Sequence, residues 1–171
     1  MSITGYGGGM TVPGPLPPVG VRRIIDFVNT RPLIGRPDEL ADPATPGPVR
    51  ELRDALTDVL GSDPGDPAHA AGWRLVNDLA ARSPLAVSFL PGPDTVLAPA
   101  ADQAQPIVGR LIADVHAAIV ADQWTRLHLC ANDVCGVAFY DGSRSRTQRW
   151  HSYEVCGNRV NVAAHRRRQG V

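Results

Sequence analysis

The sequence predicts an α+β fold, in which a mainly helical N-terminal part with one small β-hairpin is followed by a short unit of two strands and a helix. Apolar residues recur at helical spacing in four segments up to residue 122, and they alternate at strand spacing between residues 85 and 98. The pattern changes after residue 123, and all three cysteines lie there, within 27 residues. The chain has 171 residues, of which 43% are hydrophobic, and this is enough for a packed core.

The first half of the chain predicts a flexible arm and three helices. Residues 1–20 hold six Gly and four Pro, so we expect them to form the arm. Residues 21–29 carry Val and Ile at helical spacing, and this helix ends before Pro32. After a proline-rich loop, residues 49–60 predict a second helix, and residues 67–81 repeat its apolar pattern as a third.

The second half predicts a hairpin, a long helix and a different final unit. Residues 85–90 and 95–98 alternate around a Pro-Gly-Pro-Asp turn. Residues 106–122 begin with proline and carry a continuous apolar stripe, so they predict the strongest helix. The remaining elements are two short strands and a last helix, at residues 124–129, at 136–140, and from Asn158 or Arg159 toward Gln169.

Charge is divided unevenly along the chain. Residues 1–125 carry 9 Arg and 14 Asp or Glu, a formal charge of −5, whereas residues 126–171 carry 8 Arg and 3 acidic residues, a formal charge of +5. The whole chain has no formal net charge, which argues against a protein that is basic over its entire surface. An acidic body with a basic end indicates two roles within one chain.

The expected location of the protein decides how its cysteines are interpreted. No apolar run approaches the roughly 18 residues of a membrane span. The first 20 residues lack the positive charge and the continuous apolar stretch of a signal peptide, so we expect a cytoplasmic protein. Cysteines stay reduced in the cytosol, which favours a metal site or catalysis over disulfide bonds.

The cysteines form a regular constellation with one histidine. Cys130 and Cys135 are separated by four residues, His151 and Cys156 are also separated by four, and 15 residues lie between the two pairs. Two pairs of equal spacing suit a tetrahedral ion, and zinc accepts three thiolates and an imidazole in a closed shell. The alternatives are clustered free thiols, one disulfide with a free thiol, a catalytic cysteine, and a zinc ion with an open position.

We therefore predict one structural zinc ion per chain. Its ligands are Cys130, Cys135, His151 and Cys156, and His165 is the rival fourth ligand. Arg149 and Arg159 lie near this set in the sequence, so we expect them to offset part of the negative charge of the thiolates.

The same region resembles the CGNR zinc finger family of bacterial proteins. The similarity rests on the first cysteine pair, Phe139-Tyr140-Asp141, Arg149-Trp150, and Cys156-Gly157-Asn158-Arg159, followed by a basic segment. The family usually has a cysteine where this sequence has His151. The segment Asp26-Phe27-Val28-Asn29-Thr30 is similar to the ABATE domain, which often accompanies this finger and is described as a stress-induced transcription regulator domain.

The resemblance implies three segments and a regulatory function. The segments are a flexible arm at residues 1–20, an ABATE-like, mainly helical domain at 21–123, and a CGNR-type zinc finger with a basic C-terminal helix at 124–171. The finger is expected to bind DNA, and the N-terminal domain to sense a signal or bind a partner. The expected nucleic-acid contacts are the arginines of the linker and the final helix: Arg144, Arg146, Arg149, Arg159, Arg166, Arg167 and Arg168.

Two further questions stay open in the sequence. Asp26 and Asn29 are polar residues in an apolar segment, and they either line a small ligand pocket or mark the end of a helix. The basic tail either contacts DNA or meets an acidic protein partner, in which case the zinc ion is purely structural. No nucleophile elbow, zinc-protease motif or phosphate loop is present in the sequence, so we expect no enzymatic activity.

Overall fold

The computed structural model describes residues 16–92, 94–101 and 103–158, and within them it confirms a mixed helical and β structure with two small antiparallel hairpins. The helices are α1 (Val19–Val28), α2 (Gly47–Gly61), α3 (Pro67–Ala81) and α4 (Pro106–Val120). The strands are β1 (Leu85–Phe89), β2 (Thr95–Pro99), β3 (Leu127–Leu129) and β4 (Ala138–Tyr140). The predicted final helix lies outside the described residues, except for its first residue, Asn158.

Local signals account for where the helices begin and end. Asp66 accepts a hydrogen bond from the backbone N–H of Ala68 at 2.8 Å, and Pro67 opens α3, so both the cap and the first turn are preorganised. Gly72 lies where α3 crosses α2. A Cβ atom there would lie 2.8 Å from the backbone oxygen of Ala55, so glycine permits this close approach of the two helices.

One hydrophobic core joins the four helices to the C-terminal strands. Ile24, Leu52 and Leu56 are fully buried in its centre. Leu127 of β3 and Ala138 of β4 belong to the same cluster, at 4% and 2% exposure. The strands that carry the cysteine region are therefore packed against the helices, and this packing fixes the position of the site.

The two C-terminal strands are shorter than the sequence predicts. Residues Trp124–Arg126 form a 3₁₀ turn, and β3 begins only at Leu127. Gly136 has a φ of +63°, which breaks the extended conformation, so β4 begins at Ala138. Within the ranges that the structure describes, no helix combines the length and apolar character needed to cross a membrane.

Candidate metal centre

The first ligand pair lies in the turn that connects β3 to β4. The ladder of the two strands extends to Cys130, whose N–H donates to the carbonyl of Val137 at 2.9 Å. Inside the turn, the carbonyl of Asn132 accepts from the N–H of Cys135 at 2.8 Å and from that of Gly136 at 3.4 Å. These bonds, together with the positive φ of Gly136, bring the two cysteines to the same side of the turn.

The second ligand pair lies in a tight turn of its own. The side-chain oxygen of Ser152 accepts from the N–H of Val155 at 3.3 Å, and its carbonyl accepts from the N–H of Cys156 at 2.9 Å. A π-helical turn, Tyr153–Gly157, follows and returns the chain toward His151. The N–H of Ala131 donates to the carbonyl of Arg149 at 2.8 Å, and this bond joins the two turns.

The four predicted ligands come together. Their ligand atoms all lie within 4.8 Å of one another, and Cys130 and Cys156 are buried. The Nδ1 atom of His151 lies 3.4 Å from the sulfur of Cys135 and 3.6 Å from that of Cys156. Zinc bonds of about 2.3 Å to sulfur and about 2.0–2.1 Å to nitrogen, at a tetrahedral angle, place such ligand atoms about 3.5 Å apart. The cluster therefore fits one zinc ion in a closed Cys3His shell, with Nδ1 as the histidine ligand atom.

The protonation of these groups agrees with a metal site. Burial raises the pKa of the Cys135 thiol to about 12, despite a hydrogen bond from the backbone of Val137, and the neighbouring Cys130 and Cys156 raise it further. Burial also raises the pKa of Cys156 and lowers that of His151, so the imidazole is neutral and available as a ligand. A bound cation reverses the balance at the thiols, because coordination displaces their protons.

Asn132 supports the ligands and is not identifiable from the sequence pattern. Its side chain is buried, at 6% exposure, and hydrogen-bonds to Cys156, which lowers the pKa of that thiol against the effect of burial. Its amide oxygen accepts from the N–H of Val134 at 3.3 Å. Asn132 therefore bonds to both ligand pairs, and such outer contacts orient metal ligands.

Asp141 organises the linker between the two ligand pairs. Its carboxylate is fully buried, and it accepts from the backbone N–H groups of Ser143 and Gln148, each at 2.8 Å. Burial alone would raise the pKa of this carboxyl, but its hydrogen bonds to Ser143 and Gln148 outweigh it and keep the pKa below its ordinary value. Arg126 donates to the carbonyls of Asp141 and Ser143, at 2.9 and 3.1 Å, so the linker is a fixed loop.

The linker arginines predicted to contact nucleic acid have different surroundings. Arg144 is exposed, and within the described ranges it makes no ion pair. Arg149 is exposed, and its guanidinium lies 5.4 Å from the ring centre of Trp150. Arg146 forms an ion pair with Asp122 at 2.9 Å. The remaining predicted contacts lie outside the described residues, as does His165: Arg159, Arg166, Arg167 and Arg168.

Asp26 and Asn29 have separate positions. Asp26 is exposed on α1, whereas Asn29 is buried at 8% exposure. The Asn29 amide donates to the carbonyl of Ala138 at 2.9 Å and accepts from its N–H at 2.8 Å. Asn29 thus binds the strand that follows the first ligand pair, and a ligand pocket at these two residues stays a prediction.

Comparison with known proteins agrees with this geometry. No curated protein matches the chain at a significant level. An ABATE-type domain in the N-terminal part is not among the matches and stays a prediction. Residues 126–169 match the CGNR zinc finger family, and this segment contains all four residues of the Cys3His cluster that fits one structural zinc ion.

Proposed function

We propose that the chain is a transcription regulator that binds DNA through its zinc finger and the arginines around it. In this proposal, residues 21–123 form an ABATE-like domain that senses a signal or binds a partner, and the chain has no enzymatic activity. The observation that carries the proposal is the fixed loop of residues 141–150, which lies between the ligand pairs and exposes Arg144 and Arg149. Arginines held on a rigid element can contact phosphates with little loss of conformational entropy.

The distribution of charge supports the same proposal. The segment from residue 126 onward has a formal charge of +5, and the rest of the chain has −5. A polyanion is therefore attracted to the finger and repelled by the helical part, which orients the encounter.

Salt dependence of binding tests this function. The zinc-loaded full-length protein is titrated with mixed-sequence duplex DNA and with RNA at several salt concentrations. We expect the logarithm of the DNA association constant to fall linearly with the logarithm of salt, with a slope of about −0.9 per phosphate contact. The variant Arg144→Glu/Arg149→Glu should bind much more weakly, whereas Arg22→Glu/Arg74→Glu, at two exposed helical positions, should not. Absence of salt-dependent binding to either nucleic acid contradicts the proposal.

One observation favours a second function, that of a protein-interaction module with a purely structural zinc ion. Both ligand pairs carry exposed apolar residues: Val134 at 63%, Tyr153 at 60% and Val155 at 50%. Exposed apolar groups of this kind suit a protein partner, and the basic tail would then meet an acidic surface. Capture of one acidic protein by the zinc-loaded chain, together with a failed DNA titration, would support this alternative.

A further inference from the structure

A closed Cys3His zinc shell leaves a charge to be compensated. Three thiolates and a neutral imidazole around Zn²⁺ carry a formal charge of −1, and here two of the thiolates are buried. Placing an uncompensated charge in a partly buried environment is unfavourable. A positive group near the sulfurs would therefore raise the affinity for the metal.

Arg31, just beyond α1, lies against the first ligand pair. Its Nη2 atom donates a hydrogen bond to the carbonyl of Gly136, the residue that follows Cys135. A Cβ atom at Gly136 would lie 2.7 Å from Nη2 and 3.4 Å from both Cζ and Nη1, so the guanidinium packs directly on this peptide. Burial lowers the pKa of Arg31, as does the nearby Arg53, whereas the charge of Cys135 acts in the opposite direction and raises it.

A neighbouring pair of contacts holds Arg31 in place. Asn29 pairs with Ala138 through two hydrogen bonds, and Arg31 pairs with Gly136. The two pairs are offset by two residues on each segment and run in opposite directions, as in an antiparallel ladder. Pro32 follows Arg31 and prevents the helix from continuing, so the segment crosses the turn in one defined register.

We propose that Arg31 is a positioning residue of the zinc site, which compensates the charge of the thiolate shell and fixes Cys135 through the carbonyl of Gly136. The zinc site is then completed by a residue from the N-terminal part of the chain. The Nε atom of Arg31 is buried and has no hydrogen-bond partner in the described part of the structure, so a further donor remains close to the shell.

Substitutions at Arg31 separate its charge from its hydrogen bond. Arg31→Gln keeps a donor for the Gly136 carbonyl and removes the charge, whereas Arg31→Lys keeps the charge. Zinc affinity of the full-length protein is measured by competition with a chromophoric chelator, and the Co²⁺-substituted protein gives the energy of the sulfur-to-metal charge-transfer band. We expect Arg31→Gln to lose about tenfold or more in zinc affinity and to shift the band, because outer-shell partners commonly contribute that much. Arg31→Lys should stay within about threefold of wild type by the same reasoning.

Arg22→Gln, at an exposed position on α1, is the matched control and should bind zinc as wild type does. Circular dichroism of each variant establishes that the helices are intact. Wild-type affinity and an unshifted cobalt band in Arg31→Gln would show that Arg31 is only a tether, and the proposal would be overturned. Equal losses in Arg31→Gln and Arg31→Lys would also overturn it, since the charge would then not matter.

Discussion

The side-chain amide of Asn29 makes two hydrogen bonds with the backbone of Ala138, a residue 109 positions later in the chain. Ala138 is buried at 2% exposure and lies on the strand that follows the first ligand pair. No other side chain in the described structure bonds to both the N–H and the C=O of this residue. Asn29 therefore substitutes for a neighbouring β-strand at this position and connects the helical part to the finger.

Replacing Asn29 should destabilise the whole protein. In Asn29→Ala, the buried N–H and C=O of Ala138 lose their partners, and each such group costs about 1–3 kcal/mol. Asn29→Asp should also destabilise, because a carboxylate can accept from the N–H but faces the carbonyl without a donor. Urea unfolding of the zinc-loaded protein measures both effects, with Asn77→Ala at an exposed position of α3 as the control. A loss no larger than that of Asn77→Ala would contradict this role.

His151 is the ligand that departs from the usual pattern of the family. Its Nδ1 atom lies at coordination spacing from two of the sulfurs, so His151→Ala should lose zinc to a chelator faster than wild type. His151→Cys should retain zinc, because it restores a ligand of the family's usual kind. His165→Ala serves as the comparison, since His165 lies outside the described residues. If His165→Ala loses zinc and His151→Ala does not, His165 is the fourth ligand.

Removal of zinc should loosen the ligand pairs more than the strands between the core and the site. The N–H of Cys156 is held only by the tight turn at Ser152, whereas that of Ala138 is held by Asn29 and lies in the core. Hydrogen exchange followed by mass spectrometry should therefore show rapid exchange around Cys156 after chelation and continued protection around Ala138. The amides of α4 serve as the internal reference.

The same experiment addresses the predicted boundary between residues 123 and 124. If the two parts are separate domains, the helices stay protected when the finger loses order. Loss of protection everywhere in one transition would mean that the shared core, which includes Leu127 and Ala138, depends on the metal.

Local sequence signals were sufficient for much of the fold. The bounds of α3 agree with the prediction because a capping Asp66 and an initiating Pro67 mark its start and the apolar period marks its length. The ligand set was also predictable, because the equal spacings reflect two turns of similar size. The 3₁₀ turn at Trp124 was not, since it depends on packing against Trp73, whose ring centre lies 5.3 Å away.

Contacts between distant segments could not be predicted in the same way. Sequence proximity suggests Arg149 and Arg159 as the groups that offset the thiolates. The structure instead brings Arg31 to Gly136, across 105 positions, and places Arg149 over Trp150. Arg159 lies outside the described residues. A single sequence carries no signal for such a pairing, because it arises only when α1 packs against β4.

The buried carboxylate of Asp141 should be necessary for the fixed linker loop. In Asp141→Asn, the amide group presents an N–H to one of the two backbone N–H groups that the carboxylate now accepts, so one donor is left unpaired. We expect the free energy of unfolding to fall by about 1–3 kcal/mol. Thermal or urea unfolding measures the change, and Asp58→Asn, at an exposed position on α2, should leave stability unchanged. Equal stability of the two variants would show that the loop does not depend on the charge of Asp141.

The proposed DNA contacts should differ among the three linker arginines. Arg144 makes no ion pair in the described structure, so its charge is available to a phosphate, whereas Arg146 is paired with Asp122 at 2.9 Å and bonded to Thr125 at 3.2 Å. Arg144→Ala should therefore lower the salt slope of DNA binding by about one unit, the contribution of one phosphate contact, and weaken binding to all sequences alike.

Arg146→Ala should change the slope by less, because binding DNA through Arg146 first requires its ion pair to break. The tail variant Arg166→Ala/Arg167→Ala/Arg168→Ala should also flatten the salt dependence without changing sequence preference, since adjacent residues cannot all reach one groove. Arg74→Ala, exposed on α3, is the control and should leave the slope unaltered. Equal slopes for Arg144→Ala, Arg146→Ala and Arg74→Ala would show that the linker does not touch phosphate, and DNA contacts would then have to come from the C-terminal tail alone.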